Sequence, residues 1–169
     1  MVITEIETLV REMVEGLGTR LAPDEDWIPV MFLFDKDGTA EIALIPQAGY
    51  DEHKAEVCKH VIPGIIKQSK PQWATLVQMG WTIRYDPSTL EGRARIARDE
   101  ATYPAGRIED RPGRTECLTI LTVGLDGESL DIADVIRGNS SPPRLVWRER
   151  EGNRHEGRFV NALRRGFIE

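Results

Sequence analysis

The sequence predicts a single α+β domain, residues 1–169, in which three amphipathic helices cover one mostly antiparallel sheet of five to six strands. Three observations predict this class. The first two are β-hairpins, marked by Asp-Gly pairs at 37–38 and 126–127 between apolar stretches. Glycine after aspartate supplies the positive φ of a tight turn, so each pair predicts two antiparallel neighbours. The third is that other stretches repeat apolar residues every three or four positions, as a helix with one buried face requires.

The first third of the chain predicts a helix followed by a hairpin. Apolar residues recur at helical spacing from Ile3 until Gly16 and Gly18, which mark the end of the helix. The first strand spans Trp27–Phe34, and its part Val30–Phe34 is apolar on both faces, as in a central strand covered from both sides. The returning strand Thr39–Ile45 mixes a glutamate with apolar residues, which is typical of a strand nearer an edge.

The middle of the chain predicts a helix, a strand and a long loop. The helix runs from Asp51 to about Ser69 and is interrupted at Pro63-Gly64, because proline lacks a backbone donor. The alternating stretch Trp73–Tyr85 predicts a strand. Residues 86–114 hold three prolines and charges of both signs, and we expect an irregular loop there, with at most a short helix at Arg93–Glu100.

The second hairpin predicts a specific register. If Asp126-Gly127 is its two-residue turn, Thr119 lies opposite Asp134, and Glu116 lies opposite Arg137 as an ion pair. Both sides of the hairpin are apolar in this register, so we expect it inside the sheet rather than at its rim.

A short strand at Arg144–Arg148 and a helix at about Glu156–Phe167 complete the predicted order. The order is helix, two strands, helix, strand, long loop, two strands, short strand and helix. It is similar to that of the profilin-like and roadblock-type small domains. The similarity is one of element order alone and implies no activity.

Composition narrows the class of protein. The chain has 169 residues, 40% hydrophobic and 30% charged, as in a globular domain. No apolar stretch reaches the ~20 residues that cross a bilayer, and the acidic N-terminus does not resemble a secretory signal. Cys58 and Cys117 lie in apolar stretches, which indicates reduced core thiols of a cytoplasmic protein rather than a disulfide.

The charge is unevenly distributed. The net charge is −6, which argues against a nucleic-acid partner, yet residues 137–169 carry eight arginines and four carboxylates. The second hairpin brings five polar residues toward one sheet end, namely Arg111, Arg114, Arg137, Asn139 and Arg144. Clustered guanidiniums bind carboxylates and phosphates, so this edge is a predicted anion site. The alternative, which we favour, is that neighbouring carboxylates neutralise these arginines.

Two further groups of residues have the chemistry of a site. His53, Glu56 and His60 share an arc of the second helix and are metal ligands by type, but we favour a solvated helix face, because one helix cannot complete a metal's coordination shell. Asp134 lies among isoleucines, where desolvation raises a carboxyl pKa and suits a general acid or base. A hydrogen bond from Thr119 would instead make it a structural residue.

The function that the sequence favours is a non-enzymatic module that binds another protein or a second copy of itself. The reason is that the two-sided apolar strands exceed what three helices can cover, and uncovered apolar surface tends to be buried by a partner. The alternative is a small enzyme or sensor that binds an anionic ligand at the arginine-rich edge, under the 86–114 loop. No cofactor is expected, because no phosphate-binding or dinucleotide-binding glycine motif occurs. No membrane partner is expected, because no apolar stretch is long enough to cross a bilayer.

Overall fold

The computed structural model describes residues 2–103, 108–150 and 158–168. One six-stranded antiparallel sheet, ordered β2-β1-β3-β4-β5-β6, has helices on both faces, which confirms the α+β class. The strands are β1 (Val30–Phe34), β2 (Ala40–Leu44), β3 (Trp73–Thr82), β4 (Thr115–Gly124), β5 (Gly127–Ile136) and β6 (Arg144–Trp147). The described helices are α1 (Ile3–Gly18), α2 (Asp51–Glu56), α3 (Ile62–Ser69), α4 (Leu90–Thr102) and α5 (Arg158–Ile168).

The first hairpin forms as predicted. The Asp35 carboxylate accepts hydrogen bonds from the backbone N–H groups of Asp37 and Thr39, both at 2.9 Å, and Gly38 has a φ of 83°. Every residue of β1 is buried, whereas β2 is the exposed edge strand. The chain therefore enters its sheet at a buried interior strand and then forms the rim with β2.

The second hairpin is also present, but its predicted register was wrong by two residues. Gly124 pairs with Gly127, so the two residues between them form the turn, and Thr119 lies opposite Ile132 rather than Asp134. A slip of two residues keeps every side chain on its predicted face, because side chains alternate with a period of two. The alternation in the sequence therefore fixes the faces of the hairpin without fixing the turn.

The 86–114 segment is not the irregular loop that the sequence predicts. It contains α4, a 13-residue helix that includes the short helix expected at 93–100. The Thr89 hydroxyl caps it by accepting from the Gly92 N–H at 2.9 Å, and Tyr85 donates to the buried Asp99 carboxylate at 2.8 Å. Capping and polar contacts of Asp99 and Arg95 hold α4, and neither leaves an apolar periodicity in the sequence.

The second predicted helix is present as α2 and α3, joined by a π-helical turn at Val57–Val61. The irregularity precedes Pro63, which lies in the first turn of α3, where its missing N–H costs little. The helix ends at Lys70, whose φ of 49° is left-handed.

Each face of the sheet has its own core. One face packs against α3, α5 and the π-helical turn, and its buried residues include Met31, Leu33, Ala74, Leu76 and Leu121. The other face packs against α1, and its buried residues include Phe32, Phe34, Trp73, Leu118 and Ile120. Among the described helices, α3 and α5 thus cover the first face, whereas α1 alone covers the second.

Candidate functional site

An apolar groove lies on the α1 face of the sheet, between the C-terminal half of α1 and the edge strand β2. Its volume is about 610 Å³. Its lining includes the apolar residues Met13, Leu17, Ile28, Phe32, Ile42 and Leu44. The floor comes from β1 and β2, and one wall comes from α1.

The groove exists because α1 covers only part of its face. Ile6, Val10 and Val14 are fully buried, and the helix makes its principal contacts with β4, β5 and β6. Met13 and Leu17 therefore lie on the flank of α1 that looks toward β1 and β2. Among the described elements, no second helix lies beside α1 to cover that half of the face.

Four aliphatic side chains around the groove are unusually exposed. The exposed fraction is 68% for Leu44, 59% for Ile28, 55% for Ile42 and 48% for Leu17. Single exposed aliphatic residues are common, but a contiguous group around a groove is typical of a binding surface.

The edge strand adds free hydrogen-bonding groups next to these side chains. Ile45 donates to the Pro29 carbonyl at 2.9 Å and Asp35 donates to the Thr39 carbonyl at 3.0 Å. Since bonded and non-bonded residues alternate in an antiparallel pair, the backbone N–H and C=O groups of Ile42 point away from β1. The site thus combines an apolar floor with an unpaired strand edge.

Arg137, which the sequence predicts to belong to an anion site, binds the segment at residues 23–26 that borders one end of the groove. Its Nε donates to Glu116 at 2.8 Å, it pairs with Asp26, and it donates to the carbonyls of Pro23 and Glu25 at 3.1 and 3.0 Å. Hydrogen bonding to Glu116, opposed by partial burial, raises the pKa of Arg137 above its usual value. The predicted ion pair between Glu116 and Arg137 is present, and Arg137 fixes the segment that borders the groove.

The other residues of the predicted anion edge are spread out. Arg114 lies over the Trp81 ring, 5.1 Å from its centre, on β3, whereas Arg144 lies on β6. Three strand spacings separate β3 from β6, which is roughly 14 Å. Arg111 is half-buried beside its own loop, and Asn139 is exposed in the β5–β6 loop. These side chains surround the sheet end without forming one cluster.

A cleft does lie beneath the start of the 86–114 segment, but other arginines line it. Its volume is about 510 Å³, and Arg84, Arg148 and Arg150 contribute to its surface. Arg148 donates through Nε to Asp134 at 3.0 Å, and Arg150 donates through Nε to Asp131 at 2.6 Å. Two of the three guanidiniums in this cleft are therefore already paired.

Asp134 is an ion-pair partner rather than a neighbour of Thr119. It lies opposite Cys117 and binds Arg148, while Thr119 donates to the Gln78 carbonyl at 3.4 Å. The predicted contact between Thr119 and Asp134 was wrong, because the register of the hairpin differs by two residues.

The remaining chemical candidates lie apart from the groove. His60 is 4.0 Å from Glu56 on an exposed helix face, and His53 contacts the Tyr50 ring edge-on. In the described parts of the chain, no three His, Cys, Asp or Glu side chains form a metal-binding group. Burial raises the pKa of the Cys117 thiol to about 11, so the nucleophilic thiolate is scarce at neutral pH.

Comparison of the chain with protein-family models, curated proteins and solved structures gives no match. Across the described ranges, the helices are too short or too polar to span a membrane.

Sequence reasoning did not identify the groove residues individually. Ile42 and Leu44 alternate along a strand that the sequence placed near an edge, and this was the available signal. Their exposure could not be read from the pattern, because alternation shows which residues share a face but not whether a helix covers that face.

Proposed function

We propose that this chain is a protein-interaction module that binds an apolar segment of another polypeptide in the groove between α1 and β2. The observation that carries the proposal is the exposure of Leu17, Ile28, Ile42 and Leu44 around one groove. Two buried free thiols support a reducing compartment such as the cytoplasm.

The energy available from this surface is moderate. Burying a whole leucine or isoleucine side chain is worth about 1.5–3 kcal/mol, so the four half-exposed side chains supply about 3–6 kcal/mol. Association itself costs about 4–15 kcal/mol. A partner must therefore also use the strand edge or the charges at the rim, which favours a specific segment over general adhesion.

Site-specific cross-linking in cells that naturally produce the chain tests the proposal. A photoreactive amino acid replaces Ile42 in one variant and Leu125, which is 72% exposed in the distant β4–β5 turn, in a control variant. We expect a discrete cross-linked product from position 42 alone, and we expect Leu44→Ser to reduce its yield. Equal products from both positions, or none from position 42, would contradict the proposal.

A second candidate function is the binding of a small anion in the cleft lined by Arg84, Arg148 and Arg150. The observation that favours it is that the cleft lies under the segment that the sequence assigned as a cover. A thermal-shift screen with nucleotides, phosphates and dicarboxylates tests it. We expect stabilisation that Arg84→Ala removes, and a screen without any stabilising anion would eliminate this candidate.

A further inference from the structure

We infer that the occupant of the groove is an amphipathic helix that lies beside α1 and carries lysine or arginine on its α1-facing flank. This inference rests on the proposed function and specifies the partner. The inference is based on the shape of the groove, on Gly16 in the wall formed by α1, and on the charged residues along the edge of the groove.

The groove leaves space on this face of the sheet where one further helix could pack beside α1. On the opposite face, Met31 and Leu33 of β1 share a core with Ile62 and Ile66 of α3. On the groove face, Phe32 of β1 is buried, but Ile42 and Leu44 of the neighbouring β2 are 55% and 68% exposed, and α1 forms one wall. Helices are the elements that ordinarily cover sheet faces, so a second helix beside α1 completes this layer.

The spacing of the floor residues matches a helix. Ile42 and Leu44 lie two residues apart on one face of β2, a separation of about 6.8 Å. Residues i and i+4 of a helix rise by about 6 Å, so one apolar stripe can contact both side chains. Gly16 in the α1 wall has no heavy atom within 4 Å of where a Cβ would lie, which leaves room for a close helix.

The lip of the groove is acidic. At ~100° per residue, Glu12 lies within about 40° of Gly16 on α1 and about one turn before it. Glu25 and Asp26 lie at the mouth, where Asp26 is paired with Arg137, and Arg20 is the single basic residue in the lining. The whole chain carries a net charge of −6. Basic side chains on the partner flank would therefore be complementary.

Two other occupants fit these observations less well. An extended strand added to the edge of β2 would pair with Ile42 but would leave the α1 wall uncovered. A second copy paired through β2 would place two grooves side by side without filling either, and it would bring the same acidic lip. Both alternatives are outcomes of the experiment.

Three labelled peptides of about 15 residues, near the minimum length of a stable helix, provide the probes. The first has a leucine stripe at helical spacing with lysine flanks, the second replaces lysine with glutamate, and the third reorders the first into a strand-like alternation. Fluorescence anisotropy measures their binding to the full chain, and light scattering measures its oligomeric state.

We expect the lysine-flanked helix to bind at least about tenfold more tightly than either other peptide, a difference typical of one well-placed group of contacts. Leu44→Ser should weaken it about tenfold and the matched surface variant Leu125→Ser should not. Glu12→Lys should narrow the preference for lysine over glutamate, whereas Glu52→Lys on the distant α2 should leave it unchanged.

The outcomes separate the inference from the proposed function. Preference for the alternating or the glutamate-flanked peptide, or a dimer that Leu44→Ser dissociates, would overturn the inference while leaving the groove as a docking surface. If Leu44→Ser weakens no peptide and position 42 forms no cross-link, the proposed function itself fails.

Discussion

The two flanks of α1 meet the sheet in opposite ways. On the β5–β6 side, the buried Asp131 carboxylate receives four hydrogen bonds or ion pairs, of 2.6 to 3.0 Å, from Arg11 and Arg150. Arg11 also lies 4.5 Å from the Trp147 ring centre. On the β1–β2 side, α1 presents Met13 and Leu17 to the open groove. One flank is closed by directional polar contacts and the other is left apolar and uncovered.

The difference between the two flanks of α1 explains how the fold keeps an apolar groove open. Apolar contacts alone would let α1 slide toward the middle of the sheet and cover more surface, because hydrophobic burial has no direction. We expect the Asp131 cluster to specify where α1 lies, a role for which buried ion pairs are better suited than for net stabilisation. We expect that weakening this cluster affects folding, whereas changing the groove affects binding.

The largest expected effect is on the closed flank. Asp131→Asn leaves Arg11 and Arg150 without their shared carboxylate. We expect the free energy of unfolding to fall by about 2–4 kcal/mol. This lies toward the lower end of the range for a broken buried ion pair, because the side chains of both arginines reach water. Urea denaturation measures it, with Asp126→Asn in the exposed turn as the control. A loss below about 1 kcal/mol would show that the cluster does not position α1.

The second prediction concerns acid. Burial by itself would raise the pKa of Asp131, but the hydrogen bonds and the positive charges of Arg11 and Arg150 together lower it. A carboxyl whose pKa is lowered on folding contributes stability that is complete above its unfolded value of about 3.9 and is lost as the pH falls through its folded value. We expect the stability difference between wild type and Asp131→Asn to shrink below about pH 4. A difference that stays constant from pH 7 to pH 3 would contradict this.

The smallest expected effect on stability concerns the flank of α1 that faces the groove. Gly16 and Gly64 both lie in helices with open space around a Cβ, so replacing either with leucine should stabilise the chain by about 0.5–1 kcal/mol. Only Gly16→Leu should weaken binding of the lysine-flanked peptide, because its side chain enters the groove. Thermal unfolding and anisotropy measure the two effects, and equal binding by both variants would count against a helix beside α1.

The comparison also explains which features the sequence could predict. The hairpins and the edge strand follow from local turns and alternation, which a single stretch of chain contains. Within the predicted anion edge, Arg137 takes Asp26 as a partner from 111 positions away, a contact that no local pattern shows. Helix α4 escapes full prediction because Asp99, rather than an apolar stripe, attaches it to Tyr85.

The groove was predictable only as a surplus of apolar strand surface. Its location depends on where α1 lies, and that depends on Arg150 reaching Glu7 and Asp131 across distant parts of the chain. The uncovered surface could thus be expected, while Leu17 and Ile28 could not be assigned to it.

Methyl resonances of leucine and isoleucine, followed while the lysine-flanked peptide is added, test the central claim most directly. The account predicts that the largest shifts occur at Leu17, Ile28, Ile42 and Leu44, and that Leu125 stays unchanged. Shifts concentrated instead at Leu130 and Ile132, which line the arginine cleft, would contradict the assignment of the groove as the docking surface.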